Sequence, residues 1–161
     1  MAKIVAWDEL ARRLQSLRSS GQKIVFTNGC FDLLHSGHVR YLAQAKSLGD
    51  VLVVGLNSDR SVRRLKGPGR PVRTQDRRCE LLAALESVDF VVVFDQETPY
   101  RLIESIGPDV LVKGGDWPLA EIVGADLVQG RGGQVLSLSF TEGESTTSLI
   151  EQIKSLDRGP A

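Results

Sequence analysis

The chain has 161 residues, enough for one domain with a buried core, and its apolar and charged fractions, 42% and 25%, are those of an ordinary globular protein. Lysine plus arginine and aspartate plus glutamate stand at 20 each, so no net field draws the protein to nucleic acid or membrane, and anion binding must come from local clusters. Cys30 and Cys79 form no CxxC arrangement, the first residues resemble no signal peptide, and no apolar run spans a bilayer; a disulfide framework, a zinc site and a membrane span are excluded, and a cytoplasmic location is expected.

From the amino terminus, Trp7, Leu10, Ala11, Leu14 and Leu17 recur at three- and four-residue spacing, which predicts an amphipathic helix over Trp7 to Leu17, stopped by Gly21. Such an amphipathic helix is suited to pack on a neighbouring subunit. Lys23 to Asn28 (KIVFTN) reads as a short buried strand, and Val39 to Leu48 as a helix stopped by Gly49. Val51 to Leu56 is a second strand, followed by a helix toward Leu65 that Asp59 is placed to cap. Lys66 to Arg73 (KGPGRPVR) is a basic loop. Thr74 to Ser87 is a helix with Leu81, Leu82 and Leu85 inward, Phe90 to Phe94 a strand and Pro99 to Ile106 a helix. Asp109 to Lys113 is a strand, residues 118–133 carry a short helix ending at the glycines, Val135 to Phe140 is a strand and Ser145 to Leu156 the last helix; only Asp157 to Ala161 look loose.

Apolar strands alternating with helices predict an α/β fold: a doubly wound, Rossmann-like parallel sheet of about five strands with helices on both faces. The whole chain, 1–161, reads as a single domain, an amino-terminal helix (1–21) on an α/β core (22–156). Such sheets bind ligands outside the carboxyl ends of their strands. The segments expected there are Gly29 to His38, Asn57 to Arg73, Lys113 to Trp117 and Thr141 to Thr147, and they hold nearly all the unusual chemistry.

The first segment contains both histidines. His35 and His38, at i and i+3 on a helix start, project to one side, and Gly37 lets a ligand approach the backbone. Helix-start amides attract an anion, and imidazoles donate to phosphate oxygens. A metal pair with Asp32 falls short of the three or four ligands zinc requires. No GxxxxGK[ST] or GxGxxG accompanies the strand. Cys30 has no basic neighbour in sequence and reads as a packed small residue. In the second segment Arg63, Arg64, Lys66, Arg70 and Arg73 make a dense positive cluster among glycines and prolines, suited to a mobile anion-binding loop. Lys66, at the loop entrance, is its best candidate. Of Arg77 and Arg78, one is expected to face phosphate and the other solvent. Ser145, Thr146 and Thr147 behind Gly143 exceed what an N-cap needs and suit a second phosphate contact.

In this order the segments resemble the HxGH nucleotidyltransferases, small α/β enzymes that move a nucleoside monophosphate from a triphosphate onto a phosphate acceptor. The resemblance covers about residues 23–155 and is strongest over Asn28-Gly29-Cys30-Phe31-Asp32 and His35-Ser36-Gly37-His38. TNGCFDLLHSGH, NSDRSVRRLKGPGRPV, LVKGGDW and STT resemble the branch that adenylylates a heptose 1-phosphate in ADP-heptose synthesis. Members of that branch are often fused to a sugar kinase. The resemblance implies that this chain is the stand-alone form, with ATP and a sugar 1-phosphate as substrates, Mg²⁺ arriving with ATP, a separate heptose kinase upstream and a homo-oligomer, a dimer in the first instance.

It further implies that His35, His38 and Lys66 are catalytic. Asn28, Gly29, Cys30, Phe31, Gly37, Arg78, Lys113, Gly115, Asp116, Ser145, Thr146 and Thr147 would surround the nucleotide. Asp32, Asn57 and Arg70 would face the acceptor, with a structural role open for Asp32, and no protein cluster is assigned to the metal. Cytidylyltransferases of the family carry Arg-Thr ahead of the Gly-x-Ser-Thr helix where this chain has Phe140-Thr141, which favours ATP over CTP. The competing readings are a CTP-dependent transferase acting on glycerol 3-phosphate or a similar alcohol phosphate, a nucleotide-binding module without catalysis, and a nucleic-acid-binding protein, the last disfavoured by zero net charge and 6% aromatics.

Overall fold

The computed structural model describes residues 2–139 and 145–156. Helix α1 (Trp7–Ser19) precedes strand β1 (Ile24–Gly29), followed by α2 (Ser36–Lys46), β2 (Val51–Asn57), α3 (Asp59–Lys66), α4 (Gln75–Ala83) and β3 (Phe90–Phe94). Then come α5 (Tyr100–Ile106), β4 (Val110–Gly114), a 3₁₀ turn at Leu119–Glu121, α6 (Ala125–Gly130), β5 (Gln134–Leu138) and α7 (Thr146–Leu156). The five strands pair in parallel in the order β3-β2-β1-β4-β5. That is the doubly wound sheet expected of this alternation, with its switch point between β1 and β4.

Strand alternation divides the apolar residues between two layers. Ile24, Phe26, Val51, Val53, Phe90, Val92 and Phe94 face α1, α5 and α6, while Val25, Leu52, Val54, Leu56, Val110 and Val112 face α2 and α4. Full burial of such side chains contributes roughly 1.5–3 kcal/mol each, and most of these are at or near complete burial.

Several boundaries differ from the sequence pattern. Helix α2 begins at Ser36, three residues before the predicted start, so His38 lies inside its first turn. Gly37 lies in the same turn, where amides have no intrahelical acceptor in any case. Ser58, not Asp59, caps α3, accepting from the amide of Ser61 at 3.0 Å. Helix α4 stops at Ala83, because turns from Leu82 to Leu85 and from Leu85 to Val88 carry the chain back so that Val88 reaches the core. Leu82 is fully buried, whereas Leu81 and Leu85 are only partly covered.

The amino-terminal helix is an integral part of the core. Leu10 and Leu14 are completely buried, Trp7 donates its indole N–H to Ser105 Oγ at 2.8 Å, and Ile4 forms a parallel bridge with Val91 on β3. Leu10 and Leu14 are therefore covered by this chain, while Trp7, Ala11 and Leu17 are partly buried. Phe140 to Glu144 and Asp157 to Ala161, with the readings that fall on them, lie outside the described residues.

Candidate active site

The sheet opens at its switch point. Strand β1 pairs with β2 as far as Gly29, but with β4 only at Val25↔Val110 and Phe26↔Leu111. Beyond Phe26 the two central strands part, and Tyr41 of α2 spans the gap: its hydroxyl lies 2.6 Å from Thr27 Oγ1 and donates to Val112 O at 3.4 Å. Burial pushes the Tyr41 phenol up to about 12, the Thr27 hydrogen bond opposing that rise. Tyr41 thus acts as a neutral hydrogen-bonding strut.

Above the gap lies a cleft of about 400 Å³. It is lined by Asn28, Gly29, Cys30 and Phe31 after β1, His38 of α2, Asn57, Lys66 and Arg70 from β2 onward, Lys113 of β4 and Thr146 of α7; His35 and Gly37 are not part of the lining. Most of the candidate residues are thus brought to one place. Phe31 has a positive φ of 44°, and its ring crosses Gly29, where a Cβ would lie 3.0 Å from it; the glycine lets the chain fold back so tightly. The Phe31 ring also rests 5.3 Å from that of His38.

The histidine rings stack with centroids 3.9 Å apart. Burial, with the charge of His35 second, drives the pKa of His38 down to about 4, so it is neutral at physiological pH. His35 Nδ1 is buried without a hydrogen-bond partner among the described residues, a donor or acceptor still to be satisfied. Burial lowers the Lys113 pKa and raises that of the Cys30 thiol, so Cys30 is a poor nucleophile.

The basic loop is fastened from beneath. Asp32, 3% exposed, accepts from Arg70 Nε at 2.5 Å, from the Val72 amide at 2.8 Å and from the Arg73 amide at 3.1 Å. Burial acts to raise its pKa, but the Arg73 amide, the Arg70 guanidinium and the Val72 amide outweigh it and hold the carboxyl below the usual range. Asp32 therefore supports the loop, and Arg70 faces the cleft already paired.

Arg78 departs further from expectation. It is fully buried and absent from the cleft wall. Its guanidinium donates to Arg73 O at 3.1 Å, Cys30 O at 2.6 Å, Asn57 O at 2.9 Å and Asp59 Oδ1 at 2.8 Å. One side chain thereby ties the basic loop, the β1 loop, the end of β2 and the start of α3, and is spent on that task rather than on phosphate. Arg77 is exposed, as expected of one of the pair.

On the β4 side, Gly115 takes φ 103° and donates its amide to Leu138 O at 2.8 Å. Asp116 accepts from Ser139 Oγ at 3.0 Å and stands outside the cleft wall. Ser145 spends its hydroxyl as the acceptor for the Ser148 amide at 3.0 Å, an N-cap bond; Thr146 alone of the three hydroxyl residues reaches the cleft, and Thr147 is exposed. Asn57 is buried and donates to Ser61 Oγ at 2.9 Å.

Sequence reasoning missed Tyr41 and the loop after β3, where Glu97, Thr98 and Pro99 complete the wall. The rule that pointed to the other carboxyl-end loops applies equally to that one. Among the described residues no group of three or more His, Cys, Asp and Glu side chains converges. No described helix is long and apolar enough to cross a membrane.

The bifunctional protein HldE of Geobacter metallireducens is 56% identical over 152 residues, 94% of this chain and 31% of that protein. HldE of Citrifermentans bemidjiense is 53% identical over 154 residues, 96% of this chain and 32% of its own length. The chain thus spans about a third of the length of the curated relatives it matches. A lipopolysaccharide core biosynthesis protein from Thermoplasma volcanium superposes with a TM-score of 0.63 at 28% identity, covering 77% of this chain and 100% of its own. A pantoate-beta-alanine ligase from Francisella tularensis, 15% identical with a TM-score of 0.62 over 99% of this chain and 80% of its own, shares the fold. Residues 26–152 match the profile of the cytidylyltransferase-like family, and the chain belongs to that family.

Proposed function

We propose that the chain is an adenylyltransferase that moves AMP from MgATP to D-glycero-β-D-manno-heptose 1-phosphate, giving ADP-heptose and pyrophosphate for lipopolysaccharide core synthesis. The observation that carries this reading is the gathering of phosphate-binding groups in one cleft. His38, Lys113 and Thr146 line it together with Lys66 and Arg70, and His35, itself outside the lining, packs on His38; together they supply donors for two phosphorylated ligands. The similarity to HldE proteins and to a lipopolysaccharide core biosynthesis protein supports the choice of substrate.

In the reaction an acceptor phosphate oxygen attacks the α-phosphorus of ATP in line. The new P–O bond forms as the bond from the α-phosphorus to the bridging oxygen breaks, and pyrophosphate carries off the electron pair. The nucleophile is already anionic, so no general base is required. His35 and His38 donate to the α-phosphoryl oxygens and stabilise the charge that builds there, Lys66 and Arg70 hold the acceptor phosphate, and Lys113 and Thr146 steady the departing phosphates. Mg²⁺ enters as part of the MgATP substrate. A kinase activity supplying the sugar 1-phosphate, a homo-oligomeric state and a cytoplasmic location complete the proposal.

The family name keeps a cytidylyl reading in play, with CTP and glycerol 3-phosphate as substrates. Pyrophosphate release measured with ATP and CTP against heptose 1-phosphate and glycerol 3-phosphate separates the two. Turnover confined to ATP with heptose 1-phosphate is expected; turnover confined to CTP with glycerol 3-phosphate would overturn the assignment.

A further inference from the structure

The cleft wall contains two carboxylates, Asp32 and Glu97. Asp32 is saturated by three N–H donors. Glu97, exposed on the loop after β3, makes no hydrogen bond or ion pair with a described residue. Arg64, which shares a cavity wall with Glu97, is spent elsewhere: it pairs with Asp95, as Arg60 does, and Asp95 also accepts from Ser58 Oγ. An unengaged carboxylate lining a cleft for two anionic ligands repels both, unless it meets the uncharged part of one of them.

A second depression, of about 510 Å³, lies beside the cleft and is walled by Ser61, Arg64, Leu65, Asp95 and Glu97. Leu65 and Glu97 are the two residues common to both cavities. Leu65 is 58% exposed, so an aliphatic surface and a free carboxylate meet at the passage from one cavity to the other. That pairing suits a polyhydroxylated ring: its hydroxyls donate to the carboxylate in charge-assisted hydrogen bonds, and its C–H face rests on the leucine. Lys66 and Arg70 line the same cleft as Leu65 and Glu97, so a phosphate that they hold brings the rest of its molecule among these residues.

Resting on the reading proposed above, we infer that Glu97 is a specificity-determining residue that takes the hydroxyl groups of the acceptor sugar, with Leu65 beneath the ring. The residue selects a sugar phosphate over a simple phosphate ester and has no part in holding ATP.

Initial rates with MgATP and D-glycero-β-D-manno-heptose 1-phosphate test this in the wild type, Glu97→Gln and Glu97→Ala. Ethyl phosphate serves as a competing ligand that has no hydroxyl groups. Glu97→Ala should raise the acceptor KM about 10- to 100-fold, the effect of losing hydrogen bonds to a charged group. The kcat and the KM for ATP should stay within about 3-fold, Glu97→Gln should fall between, and the Ki of ethyl phosphate should not change. An unchanged or lowered acceptor KM in Glu97→Ala overturns the inference, as does a matching shift in the ATP KM or in the ethyl phosphate Ki. If the wild type itself turns over no sugar 1-phosphate with ATP, the adenylyl-transfer reading fails together with the inference; an active wild type with an indifferent Glu97→Ala defeats the inference alone.

Discussion

The basic loop is only as well placed as its anchor, and Asp32→Asn tests that dependence. The carboxylate, its side chain 1% exposed, receives Arg70 Nε at 2.5 Å and the amides of Val72 and Arg73. An asparagine offers one oxygen in place of two. If that oxygen keeps the two amides, its –NH₂ faces the Arg70 guanidinium, donor against donor. Losing a hydrogen bond to a charged group costs about 1.5–3 kcal/mol, and a buried donor left without a partner about 1–3 kcal/mol more. Arg70 is 20% exposed and its loop can turn partly into water, which relieves some of this, so a loss of about 3 kcal/mol is expected. For a domain of this size that lowers Tm by roughly 6–12 °C. If the loop lets go without unfolding the rest, the cost appears as trypsin cleavage among Arg63, Arg64, Lys66, Arg70 and Arg73 and as a raised acceptor KM. A variant with Tm within about 2 °C of wild type and unaltered trypsin cleavage would refute the account. The same anchor carries a pH dependence. Its folded pKa is depressed, so its contribution is complete above the ordinary carboxylate value of about 3.9 and is lost as pH falls through the lower folded value.

Four further outcomes follow from the site. His35→Ala and His38→Ala should each lower kcat by at least ~10²-fold while the circular dichroism spectrum is retained, the scale of losing a preorganised donor; near-wild-type rates in both would refute their role. Burial brings the His38 pKa to about 4, below its ordinary 6.5, so the unfolded chain binds a proton in that interval that the native one rejects; stability should fall as pH drops from 6.5 toward 4. A bound triphosphate reverses the balance, and calorimetry at about pH 5.5 in two buffers of different ionisation enthalpy should show proton uptake on MgATP binding that His38→Asn abolishes. Arg78→Lys keeps the charge but not the fork that reaches four acceptors; breaking this buried cluster should cost about 3–5 kcal/mol, read as a Tm loss of roughly 6–20 °C, and a shift under about 2 °C would restore Arg78 as a candidate phosphate ligand.

What could be read from the sequence, and what could not, divides along a physical line. KIVFTN, VLVVGL and FVVVF announce themselves because a parallel strand buried on both faces must be apolar throughout, and the carboxyl-end rule then locates the cleft. The histidine pair was legible because its spacing on a helix start is local geometry. The ion pairing was not. Five basic residues between Arg63 and Arg73 look alike as a cluster, yet the fold assigns them different tasks. Arg64 turns to Asp95, Arg70 to Asp32, and Lys66 alone of the cluster's cleft-lining cations has no described anion beside it. Arg78 is the sharper case: three of its four acceptors are backbone carbonyls of Cys30, Asn57 and Arg73, groups every residue possesses, so no spacing of side chains could have announced it. Positive charge available to a ligand is therefore what remains after tertiary pairing. By that measure this cleft holds a free Lys66, a committed Arg70 and a free Glu97, which suits a ligand that is part phosphate and part polyol better than a second triphosphate.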